Sequence, residues 1–316
     1  MDDRDEQPGP RETIRVAVSG AGGLIGSAFA RLMTAEGHEI RRLVRRPPVG
    51  PTEVSWDPIS GKVNAEKLDG LDAVVHLAGE NIASGRWTAS RKERIRASRV
   101  DATRLLSDAL ARLETPPGVM VSASAIGYYG NRGDERLDET SPPGQGFFPE
   151  VGRAWEAAAS GAEKAGIRVV KLRIGVVLSG NGGALSRMLP PFRLGLGGRL
   201  GSGRQFISWI ALDDLVAAIR FAIDTPTLSG PVNATAPEAV TNEVFTRTLG
   251  RVLGRPTPLP VPAFALRLVV GQMADEALLS SARVRPRKLQ EFGFSFRHPH
   301  LEAALRFELG RQGEAL

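Results

Sequence analysis

The apolar and polar positions near the start of the chain predict a strand, a turn, a helix and a second strand. Residues 14–18 are rich in residues that favour strands, and apolar positions then recur with a helical period between residues 24 and 33. Gly37 suits a left-handed helix end, and residues 38–44 again favour a strand. Four glycines, at positions 20, 22, 23 and 26, separate the first strand from the helix. This order predicts the first half of a dinucleotide-binding βαβ unit.

The glycine turn has the features of a phosphate-binding loop. Gly20 permits a tight bend, the two middle glycines carry no Cβ that would hold a pyrophosphate away from the backbone, and Gly26 lets the helix approach the strand. The helix N-terminus then offers unpaired N–H groups to an anion. The spacing departs from the G-x-G-x-x-G pattern, because Ile25 stands where that pattern has its last glycine. We predict nucleotide binding over an ordinary strand–helix turn, with contacts at Gly20, Gly22, Gly23, Leu24, Ile25 and Gly26.

The end of the second predicted strand indicates which dinucleotide the turn binds. A site for NAD usually has an aspartate or glutamate there, about 20 residues beyond the turn, to bind the ribose 2′-hydroxyl. Residues 43–47 contain no acid and two arginines, Arg45 and Arg46. Guanidinium groups suit the 2′-phosphate of NADP as bidentate donors. We therefore predict NADP(H) as the cofactor; the alternative is that both arginines belong to a generally Arg-rich surface.

Further strands are predicted to bring small and polar residues to the same edge of the sheet. Residues 71–77 form a nearly continuous apolar run, typical of a buried parallel strand, and we interpret His76 within it as a hydrogen-bonded core residue. Asp57, at the end of a shorter strand, suits either the adenine amino group or a turn. A strand over residues 119–124 ends in hydroxyl groups. The added cofactor candidates are Asp57, Ala78, Gly79, Glu80 and Ser122.

Strand and helix patterns continue to alternate along the chain and predict an α/β fold. A helix over residues 148–164 precedes a strand over 168–178, as in a Rossmann-type doubly wound parallel sheet. Asp213 and Asp214 are predicted to cap a later helix. The composition then shifts to a proline-rich entry and helical segments, which predict a smaller C-terminal substrate or cap lobe. The predicted divisions are a disordered tail at 1–12, a dinucleotide-binding domain at 13–255 and a helical extension at 256–308.

Composition narrows the classes of protein and site. The 316 residues include no cysteine, which excludes disulfides, thiolate metal sites and cysteine nucleophiles. The net charge is +6, with arginines interspersed among acids, which favours a solvated surface and an anionic ligand over a nucleic-acid partner.

No apolar run approaches the roughly 18–20 residues of a membrane span, and the polar start of the chain is unlike a signal peptide. We predict a cytoplasmic protein that binds neither nucleic acid nor membranes, as a monomer or a homodimer.

Longer motifs run through most of the chain. They are SGAGGLIG at 19–26, LAGENI at 77–82, RWTASRKERIRASR at 86–99, SASAIGYYG at 122–130, WEAAA at 155–159 and LPPFRLGLGGRLGSGRQFISWI at 189–210. With them the chain resembles an extended short-chain dehydrogenase/reductase of the NAD(P)-dependent epimerase/dehydratase group. The final stretch of about fifty residues, with RVRPRKLQEFGFSFRHPHLEAAL at 283–305, resembles the C-terminal extension of one epimerase-family subgroup, sometimes labelled cell division inhibitor. The resemblance implies NAD(P)(H) binding and oxidoreductase or epimerase chemistry.

The resemblance also implies where catalytic residues should lie. The parent family uses a serine and a Tyr-x-x-x-Lys pair, in which the lysine holds the nicotinamide ribose and the tyrosine passes a proton. Ser124, or less readily Ser122, can stand for the serine. Alignment on Glu156 puts the tyrosine and lysine positions on Phe148 and Gly152, and neither side chain can transfer a proton.

The chain departs from the family pattern in further ways. Its two tyrosines, Tyr128 and Tyr129, lie in the loop before the helix that should carry the pair. Arg99 stands where relatives often have an asparagine near the cofactor, and Ala211 where they often have a histidine. A proton donor would therefore be Tyr128, Tyr129, Glu80 or Ser124. The leading hypothesis is an NADP(H)-binding oxidoreductase or epimerase of unknown substrate, and the alternative is a non-catalytic NADP(H)-responsive regulatory protein.

Overall fold

Strands and helices alternate along the chain in a computed structural model that describes residues 13–311. The strands are β1 (Arg15–Ser19), β2 (Glu39–Val44), β3 (Glu53–Asp57), β4 (Lys62–Val63), β5 (Ala73–His76), β6 (Val119–Ala125), β7 (Arg136–Leu137), β8 (Arg168–Ile174), β9 (Val176–Leu178), β10 (Phe206–Ile207), β11 (Trp209–Ala211), β12 (Gly230–Ala234), β13 (Val240–Thr241) and β14 (Arg283–Val284). The helices are α1 (Leu24–Ala35), α2 (Ala89–Leu110), α3 (Phe147–Ala157), α4 (Ser160–Lys164), α5 (Gly183–Arg193), α6 (Leu212–Asp224), α7 (Asn242–Leu253), α8 (Ala263–Val270), α9 (Arg287–Glu291) and α10 (Leu301–Glu308). Two 3₁₀ turns (Ala65–Leu68 and Ile126–Tyr129) and one π turn (Ala274–Leu278) connect them. The predicted tail at 1–12 lies outside the described residues.

Eight strands form one sheet in the order β12-β8-β6-β5-β1-β2-β3-β4. All neighbours pair in parallel except β3 and β4, which are antiparallel. The chain moves outward from β1 to β4 and then returns to β5 on the other side of β1. Strand order therefore reverses between β1 and β5, where doubly wound sheets bind ligands beyond the carboxyl ends of their strands. The predicted α/β fold is confirmed.

Apolar side chains of successive residues on β1 point to opposite faces of the sheet, as strand geometry requires. Val16 and Val18 join a buried cluster with residues of α1 and α6. Ala17, between them, joins a second cluster with residues of α2 and α4. Helices thus cover both faces of the sheet, so a ligand can reach the strands only at their ends. Within residues 13–311, no helix combines the length and apolar character needed to cross a membrane.

Two predicted elements are each divided in the structure. The helix predicted over residues 148–164 is two helices, α3 and α4. The strand predicted over 168–178 breaks at Gly175, where a Cβ would lie 2.7 Å from the Ser208 carbonyl oxygen. β8 stays in the main sheet, whereas β9 pairs in parallel with β11. The close approach of the Ser208 backbone explains the break, because only glycine fits there.

Carboxylates attach the C-terminal extension to the rest of the chain. Asp214 accepts hydrogen bonds from the backbone N–H groups of Arg297 and His298 at 2.7 and 2.9 Å. The prediction that Asp214 caps its own helix is therefore wrong, because its carboxylate binds the extension instead. Glu308 accepts from the N–H of Leu212, the first residue of α6, at 3.2 Å. Glu276 of the π turn likewise accepts from the N–H of Phe147, the first residue of α3, at 3.2 Å.

The attachment through Glu308 should respond to pH. Burial raises the pKa of Glu308 from 4.5 to about 6, and the nearby Asp213 carboxylate adds to the shift. The folded state therefore binds this proton more tightly, so the group stabilises the fold fully below about pH 4.5 and loses that contribution as pH rises through about 6. We expect Glu308→Gln, which stays neutral, to show a smaller fall in denaturant midpoint between about pH 5 and 7. An equally steep fall in the variant would contradict this assignment.

Candidate cofactor and active site

The glycine turn between β1 and α1 is shaped by two close backbone approaches. Gly20 has a φ of 71°, and a Cβ there would lie 2.9 Å from the Leu77 carbonyl carbon. A Cβ on Gly26 would lie 2.3 Å from the Gly20 carbonyl oxygen. Real Cβ atoms do not approach backbone within 3.0 Å, so neither position accepts a side chain without rearrangement. The turn therefore holds β1, β5 and α1 together where the strand order reverses.

The two middle glycines leave open space at the helix N-terminus. A Cβ on Gly22 would meet nothing within 4 Å, and Gly23 is the N-cap of α1 without a side-chain hydrogen bond to the helix. Leu24 and Ile25, the first residues of the helix, are partly buried against the core. The first N–H groups of α1 thus lack a side-chain acceptor. Open space beside such donors fits a pyrophosphate.

Ser19 joins the carboxyl ends of β1 and β5. Its hydroxyl lies 2.7 Å from Nδ1 of His76 and accepts from the backbone N–H groups of Leu77 and Ala78 at 3.1 and 3.3 Å. Nε2 of His76 lies 3.0 Å from the Thr103 hydroxyl. Burial lowers the pKa of His76 to about 4, so it is neutral at physiological pH. His76 is a core residue, as predicted. Ala78 follows just beyond the carboxyl end of β5, where the strand order reverses, and we call this region the crevice.

A half-buried cation lies beside Gly79. Arg99 reaches over from α2, and its guanidinium carbon would be 3.5 Å from a Cβ on Gly79. The guanidinium donates to the carbonyl oxygens of Ile95 and Glu80 at 3.0 and 3.1 Å, and lies 5.1 Å from the ring centroid of Trp155. Burial lowers the pKa of Arg99 to about 10, which still leaves it charged at neutral pH. A fixed positive charge at this crevice favours an anionic ligand.

Two predicted cofactor contacts are engaged with neighbouring residues. Arg46 forms an ion pair with Glu53 on β3, whereas Arg45 is exposed and has no ion pair with any residue in the described range. The Asp57 carboxylate accepts from the Ser60 hydroxyl at 2.7 Å and from a backbone N–H at 3.0 Å. Those two hydrogen bonds lower the pKa of Asp57. Asp57 therefore has the turn role that was its alternative, and a contact with adenine stays a prediction.

Two other predicted residues are also held by their surroundings. Ser122 is buried in β6, and its hydroxyl donates to the Ala123 carbonyl oxygen at 3.4 Å. The Glu80 carboxylate lies 3.5 Å from Nη1 of Arg91 and 3.9 Å from Nε of Arg94. The Glu80 carboxylate is thus already engaged by two guanidinium groups, which counts against the prediction that it serves a substrate.

Ser124, near the end of β6, belongs to a buried ionic network. Its hydroxyl donates to Oε1 of Glu156 on α3 at 2.8 Å. Arg173, the register partner of Ser124 on β8, donates to both oxygens of the same carboxylate at 2.7 and 2.9 Å. Although burial alone lowers the pKa of Arg173, the hydrogen bond with Glu156 raises it above the ordinary value. With its proton directed to Glu156, the Ser124 oxygen has only lone pairs left for a ligand.

Tyr129 is enclosed at the far side of this network. Its hydroxyl lies 2.9 and 2.7 Å from carbonyl oxygens of Asp138 and the Asn233 side chain, and it accepts from Arg173 at 2.9 Å. The side chain is fully buried, and burial raises the pKa of Tyr129 to about 12. These contacts count against the prediction that Tyr129 donates a proton, because its phenol is both hard to ionise and out of reach of a substrate.

Tyr128 packs against the helix position where relatives have lysine. A Cβ on Gly152 would lie 3.2 Å from Cα and 3.3 Å from Cβ of Tyr128. The Phe148 ring, at the usual tyrosine position, packs edge-on against Trp87 with 5.0 Å between ring centroids. The guanidinium carbon of Arg173 lies 3.6 Å from the centroid of the Tyr128 ring, in cation–π contact. The small residue at 152 thus makes room for Tyr128, which is only partly buried.

Three members of the site were not predicted from the sequence: Glu156, Arg173 and Glu53. Glu156 served only to align the helix, although a carboxylate on a helix facing a buried strand needs a partner. Arg173 interrupts an otherwise apolar strand, and such a charge signals a buried ion pair. Glu53 gave no comparable signal, because its pairing with Arg46 depends on how the intervening loop folds back.

Two family models match the sequence. A model described as NAD dependent epimerase/dehydratase family matches residues 16–234. A model described as a domain of unknown function, DUF1731, matches residues 261–308. The first covers the glycine turn, the crevice and the buried ionic network. The second covers the segment that carries Glu276 and Glu308.

Similar proteins occur in bacteria and mammals. The chain is 46% identical over 298 residues to the epimerase family protein MT2273 of Mycobacterium tuberculosis, covering 94% of this chain and 98% of that one. The crystal structure of human epimerase family protein SDR39U1 (isoform 2) with NADPH superposes with a TM-score of 0.87 at 37% identity, covering 94% of this chain and 99% of that one. The nucleoside-diphosphate sugar epimerase of Corynebacterium glutamicum has a TM-score of 0.78 at 40% identity, over 95% of this chain and 59% of that one.

Proposed function

The chain belongs to the NAD-dependent epimerase/dehydratase family, and from that premise we propose that it is an NADP(H)-dependent oxidoreductase that works without a Tyr-x-x-x-Lys pair. The observation that carries the proposal is the open space at Gly22 beside the uncapped N-terminus of α1. That space lies where the strand order of the sheet reverses, and a pyrophosphate fits it. The NADPH in the structure of human SDR39U1 supports the choice of cofactor.

The residues that would hold the cofactor lie along one edge of the sheet. The glycine turn would take the pyrophosphate, Ala78 and Gly79 would lie beside it at the end of β5, and Arg99, packed against Gly79, supplies a fixed positive charge. Arg45, exposed at the end of β2, would meet the 2′-phosphate. When bound, the nicotinamide supplies or accepts a hydride.

Tyr128 is the residue we assign as proton donor. It is partly exposed, its hydroxyl has no hydrogen-bond partner among residues 13–311, and its ring lies against the Arg173 guanidinium at 3.6 Å. Tyr129, its neighbour in sequence, is fully buried. Ser124 is bound to Glu156, so its oxygen would accept a hydrogen bond from a ligand hydroxyl. Tyr128 would thus hold the proton for the substrate carbonyl, and Ser124 would orient the substrate by accepting a hydrogen bond from a separate hydroxyl group.

The assignment predicts a clear difference between two identical substitutions at adjacent positions. NADPH oxidation measured with a panel of carbonyl compounds should fall about 10²–10⁴-fold in Tyr128→Phe, the usual contribution of general acid catalysis. Tyr129→Phe is the matched control and should lower stability but keep turnover within a few-fold of the parent, because its phenol is buried. Turnover that survives Tyr128→Phe would place the acid elsewhere.

A second candidate function is a non-catalytic NADP(H)-responsive regulatory protein. The observation in its favour is the aromatic contact of Phe148 with Trp87, which puts an inert ring at the family's usual proton-donor position. In that case the cofactor would stabilise one conformation that a partner recognises. Tight NADPH binding without turnover of any compound in the panel would support this function over the first.

A further inference from the structure

An acid from the neighbouring strand neutralises one of the two arginines at the end of β2. Glu53 is the first residue of β3, and Nη1 of Arg46 donates to its Oε2 at 2.8 Å while Nη2 donates to Oε1. The backbone N–H of Val49 donates to the same carboxylate at 2.8 Å. The hydrogen bonds from Arg46 and Val49 lower the pKa of Glu53, so the carboxylate is ionised at neutral pH.

The Arg46 guanidinium is held by Glu53 and by the Pro47 carbonyl oxygen, to which it donates at 3.0 Å. In the parallel register Glu53 is level with Arg42, two residues before β2 ends at Val44. Two residues of strand correspond to about 7 Å. The Glu53 carboxylate therefore holds the Arg46 guanidinium back along the strand, whereas Arg45 is exposed at the strand end with no such partner among the described residues.

The positive charge near the end of β2 is therefore smaller than the two arginines alone suggest. Arg46 and Glu53 together contribute no net charge. Of the nearby cations, Arg42 lies on β2 beside Glu53, and Arg45, whose charge also acts on the Asp57 carboxylate, lies beyond the end of the strand, where a phosphate would approach. The Glu53 carboxylate is also a nearby negative charge that repels a phosphate dianion but has little effect on a neutral ribose hydroxyl.

We propose that Glu53 is a specificity-determining residue that limits the preference for NADP(H) over NAD(H) by neutralising Arg46. This inference rests on the proposed function, since it assumes that the 2′-phosphate is bound at the end of β2. It assigns unequal roles to the two arginines: Arg45 carries the recognition of the 2′-phosphate, and Arg46 orders the loop over residues 46–53.

The test is to measure dissociation constants of NADPH and NADH by nicotinamide fluorescence on the full chain at fixed, moderate ionic strength. Glu53→Gln keeps an oxygen that can accept from Val49 but removes the charge. We expect it to tighten NADPH binding about threefold or more and to leave NADH within twofold. Arg45→Gln should weaken NADPH about tenfold, whereas Arg46→Gln should change it less than threefold. In the double variant Glu53→Gln/Arg46→Gln, the gain should disappear.

Glu39→Gln is the matched control, because Glu39 pairs with Arg41 at 3.0 Å near the other end of the same strand. Six residues of strand separate it from Arg45, about 20 Å, well beyond the screening length of about 10 Å at 0.1 M salt. It should leave both affinities unchanged. Weaker NADPH binding in Glu53→Gln, with NADH unchanged, would overturn the proposal, because Glu53 would then orient Arg46 as a phosphate ligand. A folded parent that binds neither nucleotide would instead refute the proposed function.

Discussion

Valine in place of Gly22 is expected to weaken NADPH binding about ten- to a hundredfold while the chain stays folded. A Cβ at this position meets nothing within 4 Å in the protein, so the fold itself has room for the side chain. The same room is where the pyrophosphate should lie, and forcing extra carbon atoms into filled space costs about 1–3 kcal/mol or more. Each 1.4 kcal/mol is a factor of about ten in affinity. Fluorescence titration and circular dichroism would measure binding and folding together.

Substitutions of graded size provide the controls for this result. Gly22→Ala should weaken NADPH binding less than Gly22→Val, because alanine adds a single methyl group. Gly118→Ala, just before β6 at the opposite edge of the sheet, places its Cβ in ordinary contact 3.7 Å from the nearest atom and should not change affinity. A folded Gly22→Val protein that binds NADPH like the parent would show that the pyrophosphate lies elsewhere.

Methionine in place of Arg173 is expected to destabilise the fold by about 3–5 kcal/mol, the usual effect of removing one partner from a buried ion pair. The Arg173 and Glu156 side chains are only 3% and 11% exposed. Without Arg173, the Glu156 carboxylate loses two charge-assisted hydrogen bonds, and Tyr129 and Tyr128 lose their contacts with the guanidinium. Urea denaturation should show a lower midpoint with an unchanged slope.

The double variant Arg173→Met/Glu156→Gln separates the ion pair from the general loss of packing. Because it leaves no uncompensated carboxylate, it should be more stable than Arg173→Met alone, which is the sign of a coupled pair. Arg153→Met, on the exposed side of α3, should change stability by no more than about 0.5 kcal/mol. A double variant as unstable as the sum of its single variants would show that Arg173 and Glu156 act independently.

The glycine turn and the α/β fold could be predicted because they depend on residues close together in sequence. Gly20 has a positive φ and lies against the backbone at Leu77, just beyond the adjacent β5. Gly26 has no Cβ and lies against the Gly20 carbonyl within the β1–α1 unit. Alternating apolar runs likewise identified the parallel strands. The break at Gly175 was not predictable in this way, since the Ser208 backbone that requires it lies 33 residues later in the sequence.

The candidate site was less predictable, because burial and pairing there come from distant segments. Tyr128 and Tyr129 are neighbours with the same chemistry, and only the folded chain shows that one is partly exposed while the other is enclosed. Because no acid stands at the end of β2, both Arg45 and Arg46 were predicted to bind the phosphate. In the structure, however, Glu53 on the next strand forms an ion pair with Arg46. Ionic contacts between separate elements leave little periodic trace in a sequence, whereas apolar packing leaves a strong one.

The C-terminal extension contributes side chains to the hydrophobic core, and this affects how the protein folds during synthesis on the ribosome. Leu289 belongs to the same buried cluster as Val16 and Val18 of β1, and Leu301 and Leu305 belong to the cluster around Trp209. Translation produces these leucines after all eight strands of the sheet, so a nascent chain that has completed the sheet still exposes apolar surface that they will cover. Such surfaces aggregate during folding. The nascent protein is therefore prone to aggregation until residues 289–305 have emerged from the ribosome and packed against the core.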